Sequence, residues 1–269
     1  METEDRAHVD AWDERYRRYQ DALATRFLLP ALAEWGVRVE GRRVLEVGSG
    51  DGGCAAAFAR AGARVTAFDI DERLVRIAAA LDRREDVSVR VHVGDVGDAS
   101  ASFWSEGPFD VVLMRDVVEH IADLAGALAI VRGHLSPGGV VFVVFPPYYS
   151  PYGAHQQILP RRTFAGVPYN KLPFLHLLPD ALFLRLAAGD AHAQREVARL
   201  HGIRLTLAGF EKRVRAAGLR VRHERLYLSR PSFALRYGAP VIRAGLLGRI
   251  PGLRELAVTA GYFLLEEVT

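Results

Sequence analysis

The sequence predicts an α/β protein built on a doubly wound, mostly parallel sheet, and three observations carry that expectation. Apolar strand-like runs alternate with helix-like runs between residues 43 and 145. The first strand, residues 44–47, breaks into glycines and opens directly into a small-residue helix over 54–61. Asp69 then closes the second strand 21 residues after Gly48, the distance at which such a sheet places an acid that holds a ribose diol.

The strand–turn–helix junction is where this architecture binds ligands, because the strand's C-terminal end and the helix's first unpaired N–H groups face one crevice. Gly48, Ser49, Gly50 and Gly52 form the turn, and the absence of Cβ atoms lets bare backbone approach a ligand. Glu46 is expected to point toward the crevice. A carboxylate there repels a pyrophosphate and attracts an ammonium or sulfonium group, which favours S-adenosylmethionine over a dinucleotide. The rival, a nicotinamide-dependent oxidoreductase, shares the G-x-G-x-x-G spacing of Gly48, Gly50 and Gly53. For Asp69 the alternative to ribose binding is a cap on the helix starting near Asp71.

Taken in order, Trp12, Tyr16, Tyr19, Leu23 and Phe27 recur at helical steps and predict a helix over 11–29, with Pro30 starting a second. Its aromatic stripe either packs on the sheet edge or, through the Tyr16 hydroxyl, caps a ligand at the crevice mouth. The third strand, 87–93, ends in Gly94 and Asp95. Asp95 can accept from an adenine amino group between the apolar walls of Ile70 and Val96, or simply form a turn. The fourth strand, 109–114, makes the far wall of the crevice. Asp116 should face the amino-acid portion of the cofactor, and His120 the incoming substrate, as base or orienting group; the alternative is a buried histidine satisfied by backbone. A helix over 123–134, a Pro-Gly-Gly turn and a fifth strand over 140–145 follow.

The rhythm breaks at Pro146. Residues 147–202 are too apolar for a disordered linker and too rich in proline for one long helix, so they are expected to form an inserted substrate cap. His155 is a second candidate base there, and Tyr148, Tyr149 and Tyr152 either line an acceptor pocket or pack the cap. The main domain is then assigned to 41–146 and 203–269, behind an N-terminal helical cap, 1–40. A second excursion, 229–256, interleaves arginines with Leu and Ile; it reads as a cap segment with solvated arginines or as a surface for an anionic membrane or lipid-linked acceptor.

Composition excludes several classes. A net charge of +3 in 269 residues is too small to announce a nucleic-acid partner. One cysteine, Cys54, rules out a disulfide framework or thiolate metal cluster and reads as packing. The charged N-terminus and the lack of any run near the roughly 20 apolar residues of a membrane span lead to the expectation of a soluble, cytoplasmic protein.

Five segments together, VLEVGSGDGG, VTAFDID, GDV, FDVVLMRDVVEHI and LSPGGVVFVV, resemble the class I S-adenosylmethionine-dependent methyltransferases of the small-molecule type. The resemblance covers about 40–145 and, more weakly, 203–228 and 257–267. It implies a seven-stranded Rossmann-like sheet of order 3-2-1-4-5-7-6 with the last strand antiparallel. It further implies that Glu46 and the glycine turn hold the methionine part, Asp69 the ribose and Asp95 the adenine, with Asp116 and Val117 bordering the sulfonium. Asp116, Glu119 and His120 depart from the E-x-x-E-H run that binds a divalent metal in some relatives, and no metal is expected. The function implied is methyl transfer to oxygen, nitrogen or carbon of a small acceptor, which a lining of Tyr148, Tyr149 and Tyr152 would make aromatic or apolar; a non-catalytic cofactor-binding module is the remaining alternative.

Overall fold

The computed structural model describes residues 9–153, 163–164, 167–168, 171–186 and 191–268. Five strands, β1 (Arg43–Val47), β2 (Arg64–Asp69), β3 (Val89–Val93), β4 (Phe109–Arg115) and β5 (Leu135–Phe145), pair in parallel in the order 3-2-1-4-5. The sheet continues through β10 (Ala260–Glu267), antiparallel to β5, and β8 (Leu219–Ser229), while the short strands β6 (Thr163–Phe164) and β7 (Val167–Pro168) form a pair of their own. This is the expected order with one correction: the sheet has eight strands, not seven. The eighth, β9 (Ile242–Arg243), lies antiparallel on the outer edge of β8. Two residues within an arginine-rich excursion are too short to give a strand period in the sequence.

Both faces of the sheet are buried, as a parallel sheet requires. Leu45, Val47, Val112, Met114 and Val143 face one core with α5 (Leu124–Gly133) and α8 (Leu207–Ala216). Val44, Val111, Leu113 and Phe142 face the other, covered by α3 (Gly53–Arg60) and the N-terminal helices. The two-residue period of β1 therefore sends Glu46 to the same side as Val44, beneath the start of α3.

At the N-terminus α1 (Ala11–Leu23) runs through a π-helical turn, Ala24–Leu28, into a short α2 (Leu29–Glu34) that carries Pro30 in its first turn, as expected, within one continuous helical run. Proline has no N–H to give and its ring crowds the carbonyl four residues back, and a widened turn accommodates both. Asp10 caps α1, accepting from Trp12 N at 2.7 Å and Asp13 N at 2.9 Å, while Asp13 accepts from Asp10 N at 3.0 Å.

Of the two readings of the stripe of α1, packing on the sheet fails for its aromatic Trp12. Trp12 is 55% exposed, and the buried face is Asp13, Arg17, Gln20 and, of the stripe, Leu23. Arg17 can be buried because it is fully matched: it donates to Asp82 at 2.6 Å, to Glu85 at 2.9 Å and to the Asp51 carbonyl at 2.8 Å. Packing is closest at Gly53, where an added Cβ would lie 2.5 Å from the Arg17 carbonyl. Turning that polar face inward leaves Tyr16 and Tyr19 toward the crevice.

Within 147–202, the described elements are the β6–β7 pair, a 3₁₀ turn at Leu175–Leu177, α6 (Asp180–Leu186) and α7 (Ala191–Ile203). Short segments replace one long helix there. The second excursion forms α9 (Pro231–Tyr237), β9, a 3₁₀ turn and α10 (Leu253–Ala257). Among the described residues no helix is long and apolar enough to cross a membrane.

Candidate active site

Two clefts open along the C-terminal edge of the parallel strands and share Gly48 and Asp116. The first, of about 570 Å³, is lined by Asp69, Ile70, Asp95, Val96, Val117 and His120 among others. The second, of about 800 Å³, lies between the glycine turn, α1 and α9.

The first cleft gathers most of the residues expected to hold an adenosine. Asp69 accepts from Gly50 N at 2.8 Å and from Asp71 N at 2.9 Å, so it braces the glycine turn from the tip of β2 while lining the cleft. The helix cap is supplied by Asp71 instead, which accepts from Arg73 N at 2.8 Å. Asp95 accepts from Gly97 N at 2.8 Å, forming a turn and facing the cleft at once. Val96 is buried, whereas Ile70 stands 70% exposed at the rim.

At the junction of the clefts, Gly48 has φ +69° and a Cβ there would meet Val117 Cγ2 at 2.8 Å. Only glycine fits. Asp116 also has a positive φ, 51°, which an aspartate adopts at a cost. Its N–H donates to the Val144 carbonyl at 2.8 Å, and its carboxylate is gripped by the buried guanidinium of Arg115, which together hold that conformation.

Glu46 lines neither cleft. It is 2% exposed beneath the turn, accepts from the Ala55 N–H and leaves Oε2 without a hydrogen-bond partner. Burial pushes its carboxyl up to about 8, against the pull of Arg115 and of the Ala55 N–H. Burial likewise raises Asp51 to about 6, against Gly53 N–H and Arg17. Cys54 is buried in the same layer, its thiol pushed up to about 12 by burial, an inert packing role.

The near wall of the second cleft adds residues that the sequence reading missed. Gln20 Oε1, Ser49 Oγ and Asp51 Oδ2 all belong to residues lining it, and all are buried without a hydrogen-bond partner. Three unmatched polar oxygens on residues lining one cleft suit an ammonium group, which brings three donors and no acceptor. Asp51 is visible in the glycine motif itself; Gln20 could be found only by knowing which face of α1 turns inward. Tyr16 overlooks this region, and its hydroxyl pKa is raised, chiefly by burial, so it remains a donor at neutral pH.

His120 lines the first cleft, not the second. Its Nδ1 lies 2.8 Å from Arg199 Nη2 on α7. A guanidinium can only donate, so Nδ1 accepts and a neutral ring carries its proton on Nε2. His155 lies outside the described residues. Tyr148 is 5% exposed, packed edge-on against His176 and His201, and lines neither cleft; nor do Tyr149 and Tyr152.

The residues present fit S-adenosylmethionine: acceptors for ribose and adenine in one cleft, unmatched oxygens for an ammonium in the next, and a turn between them that a Cβ would fill. A family model described as "Methyltransferase domain" matches residues 12–224. The chain belongs to that family, and its sheet is that of a class I S-adenosylmethionine-dependent methyltransferase. The ubiquinone biosynthesis O-methyltransferase of Xanthomonas campestris pv. campestris is 36% identical over 107 residues, 40% of this chain and 44% of that protein. The chain thus spans under half the length of the curated relatives it matches. Among solved structures, an S-adenosylmethionine-dependent methyltransferase from Clostridium acetobutylicum superposes with a TM-score of 0.58 at 11% identity, covering 97% of this chain and 100% of that one. The magnesium protoporphyrin IX methyltransferase of Synechocystis PCC 6803, with bound S-adenosylhomocysteine, gives 0.52 at 14% identity over 97% of this chain and 89% of that one. At these identities the likeness is one of fold.

Proposed function

We propose that this protein transfers a methyl group from S-adenosylmethionine to an oxygen of a small aromatic acceptor. The observation that carries the reading is the pair of clefts joined at Gly48 and Asp116, one lined by Asp69 and Asp95, the other by unmatched oxygens and aromatic rings. The cofactor supplies a methyl carbon activated by a sulfonium. The chain's own task is to align, to exclude water and to hold charge. Asp69 and Asp95 serve the ribose and adenine, with Ile70, Val96 and Val117 as apolar walls. Gly48, Ser49, Gly50 and Gly52 shape the turn; Gln20 and Asp51 serve the ammonium, and Glu46 acts from beneath the turn rather than by contact. Tyr16 donates over the junction. Oxygen as the accepting atom is supported by the O-methyltransferase relatives. The Arg199 contact supports His120 as an orienting donor and not as the base.

The test is calorimetric titration with S-adenosylhomocysteine, followed by mass spectrometry of methyl transfer over a panel of catechols and hydroxybenzoates. Micromolar binding and mass gain on oxygen are expected; no binding, or tight binding of NADH instead, removes the assignment.

A second reading, an acceptor held at an anionic membrane surface, is favoured by one observation. Tyr237, Ile242, Leu246 and Ile250 are 45% exposed or more along a segment that also carries Arg236, Arg243 and Arg249. Salt-sensitive flotation with phosphatidylglycerol vesicles is expected on that reading, and its absence discards it.

A further inference from the structure

The second cleft is lined by groups of both characters. Besides the unmatched oxygens it is lined by Arg230, Ser232 and Arg236, on and before α9. Arg230 Nε and Ser232 Oγ are buried without a hydrogen-bond partner. Other arginines of the same excursion and of β8 are paired with acids: Arg225 reaches Glu34 at 2.6 Å, Arg243 the same Glu34 at 3.6 Å, and Arg254 reaches Glu211 at 2.8 Å. Among the described residues, Arg230 and Arg236 have none. Their guanidinium groups lie over rings instead, Arg230 over Phe233 at 4.9 Å and Arg236 over Tyr19 at 4.4 Å. A guanidinium stacked by its face keeps its N–H edges for a planar anion. Beside them, Trp12 and Tyr16 stack with centroids 5.0 Å apart and present a flat apolar surface.

We propose that Arg230 and Arg236 recognise a carboxylate on the methyl acceptor, so that the substrate class is an aromatic carboxylic acid. The proposal rests on the methyl-transfer reading and names the substrate of that same site. Charge placement supports it. The unmatched oxygens suit a cation, so an anion in the same cleft is best held by the two guanidinium groups that lack counter-charges. The flat face of Trp12 and Tyr16 takes the ring. Because the cofactor carries a carboxylate of its own, the experiment separates the two anions.

The full chain is first titrated with S-adenosylhomocysteine as wild type, Arg230→Gln and Arg236→Gln. Each protein, saturated with that ligand, is then titrated with 3,4-dihydroxybenzoate and with catechol. The carboxylated ring is expected to bind at least about tenfold more tightly than catechol. That preference should fall below roughly threefold in either variant, with S-adenosylhomocysteine affinity unchanged. Arg236→Lys, which keeps the charge but not the fork, should retain part of it. Arg236 is exposed, so its variants test recognition without disturbing the core. Equal binding of the two rings, or no binding of either, overturns the proposal. So does a matching loss of S-adenosylhomocysteine affinity in the variants, which would give these arginines to the cofactor's carboxylate. If the wild type fails to bind S-adenosylhomocysteine, the methyl-transfer reading falls first; if it binds and the ring preference is absent, only the present proposal falls.

Discussion

Replacing Glu46 by glutamine should flatten the pH dependence of stability between about pH 6 and about pH 8. The carboxyl is 2% exposed, and burial raises its pKa from 4.5 to about 8 in the folded protein. Between those values the folded state keeps a proton that the unfolded chain has released. Stability therefore falls as pH rises through the window and levels off above 8. The slope reaches about 1.4 kcal/mol per pH unit, and the gap between the two pKa values bounds the whole effect at roughly 5 kcal/mol. Asp51, raised to about 6, contributes with the same sign only in the lower part of the window. The amide introduced by Glu46→Gln would keep an acceptor for the Ala55 N–H and carry no charge to desolvate. Urea unfolding without cofactor, from about pH 5 to about pH 9, should show wild type losing stability above pH 6 while Glu46→Gln stays level. Parallel curves for the two proteins between pH 6 and pH 8 would refute the buried, proton-holding carboxyl.

Three further substitutions separate roles within the site. Arg17→Met should cost about 3–5 kcal/mol by leaving Asp82 buried and unpaired, and adding Asp82→Leu should restore much of it; a loss under about 1 kcal/mol in urea unfolding would show that the ion pair is not what holds α1 down. Asp69→Ala should weaken S-adenosylhomocysteine binding by roughly 1–3 kcal/mol in calorimetry, and unchanged affinity would leave Asp69 with its bracing of Gly50 alone. His120→Ala should slow turnover by less than about tenfold with the pH profile intact, since a general base is worth about 10²–10⁴-fold; loss of the profile's acidic limb would return His120 to the role of base.

The parallel core was legible because its signals are local. Strand, glycine turn, helix and acid follow one another within 28 residues, 44 to 71, and each carries its own chemistry, so Asp69, Asp95, Val96 and Val117 reach one cleft. The second cleft was less so. Arg230 and Arg236 come from residues more than 170 positions beyond the glycine turn, and nothing in their neighbourhood distinguishes them from the arginines that pair with acids. Glu46 was placed on the correct strand, but the direction of its side chain follows from which residues share its face of β1, and that required knowing that α3 folds back over Val44.

The N-terminal helix shows why periodicity alone could not settle the site. Its aromatic positions, 12, 16 and 19, and its polar positions, 13, 17 and 20, have the same helical spacing, so the pattern identifies a helix and offers two faces. Apolar preference argues for burying the aromatics. The decision instead belongs to Asp82 and Glu85 on α4 (Glu72–Glu85) and to the Asp51 carbonyl, which give Arg17 partners for its guanidinium nitrogens and make the polar face the cheaper one to bury. With that face turned in, the rings have nowhere to lie but over the crevice, where Tyr19 meets the Arg236 guanidinium and Tyr16 stands beside Asp116. The shape of the second cleft is thus a consequence of a buried ion pair on the far side of the same helix, and Arg17→Met should loosen ligand binding as well as the fold.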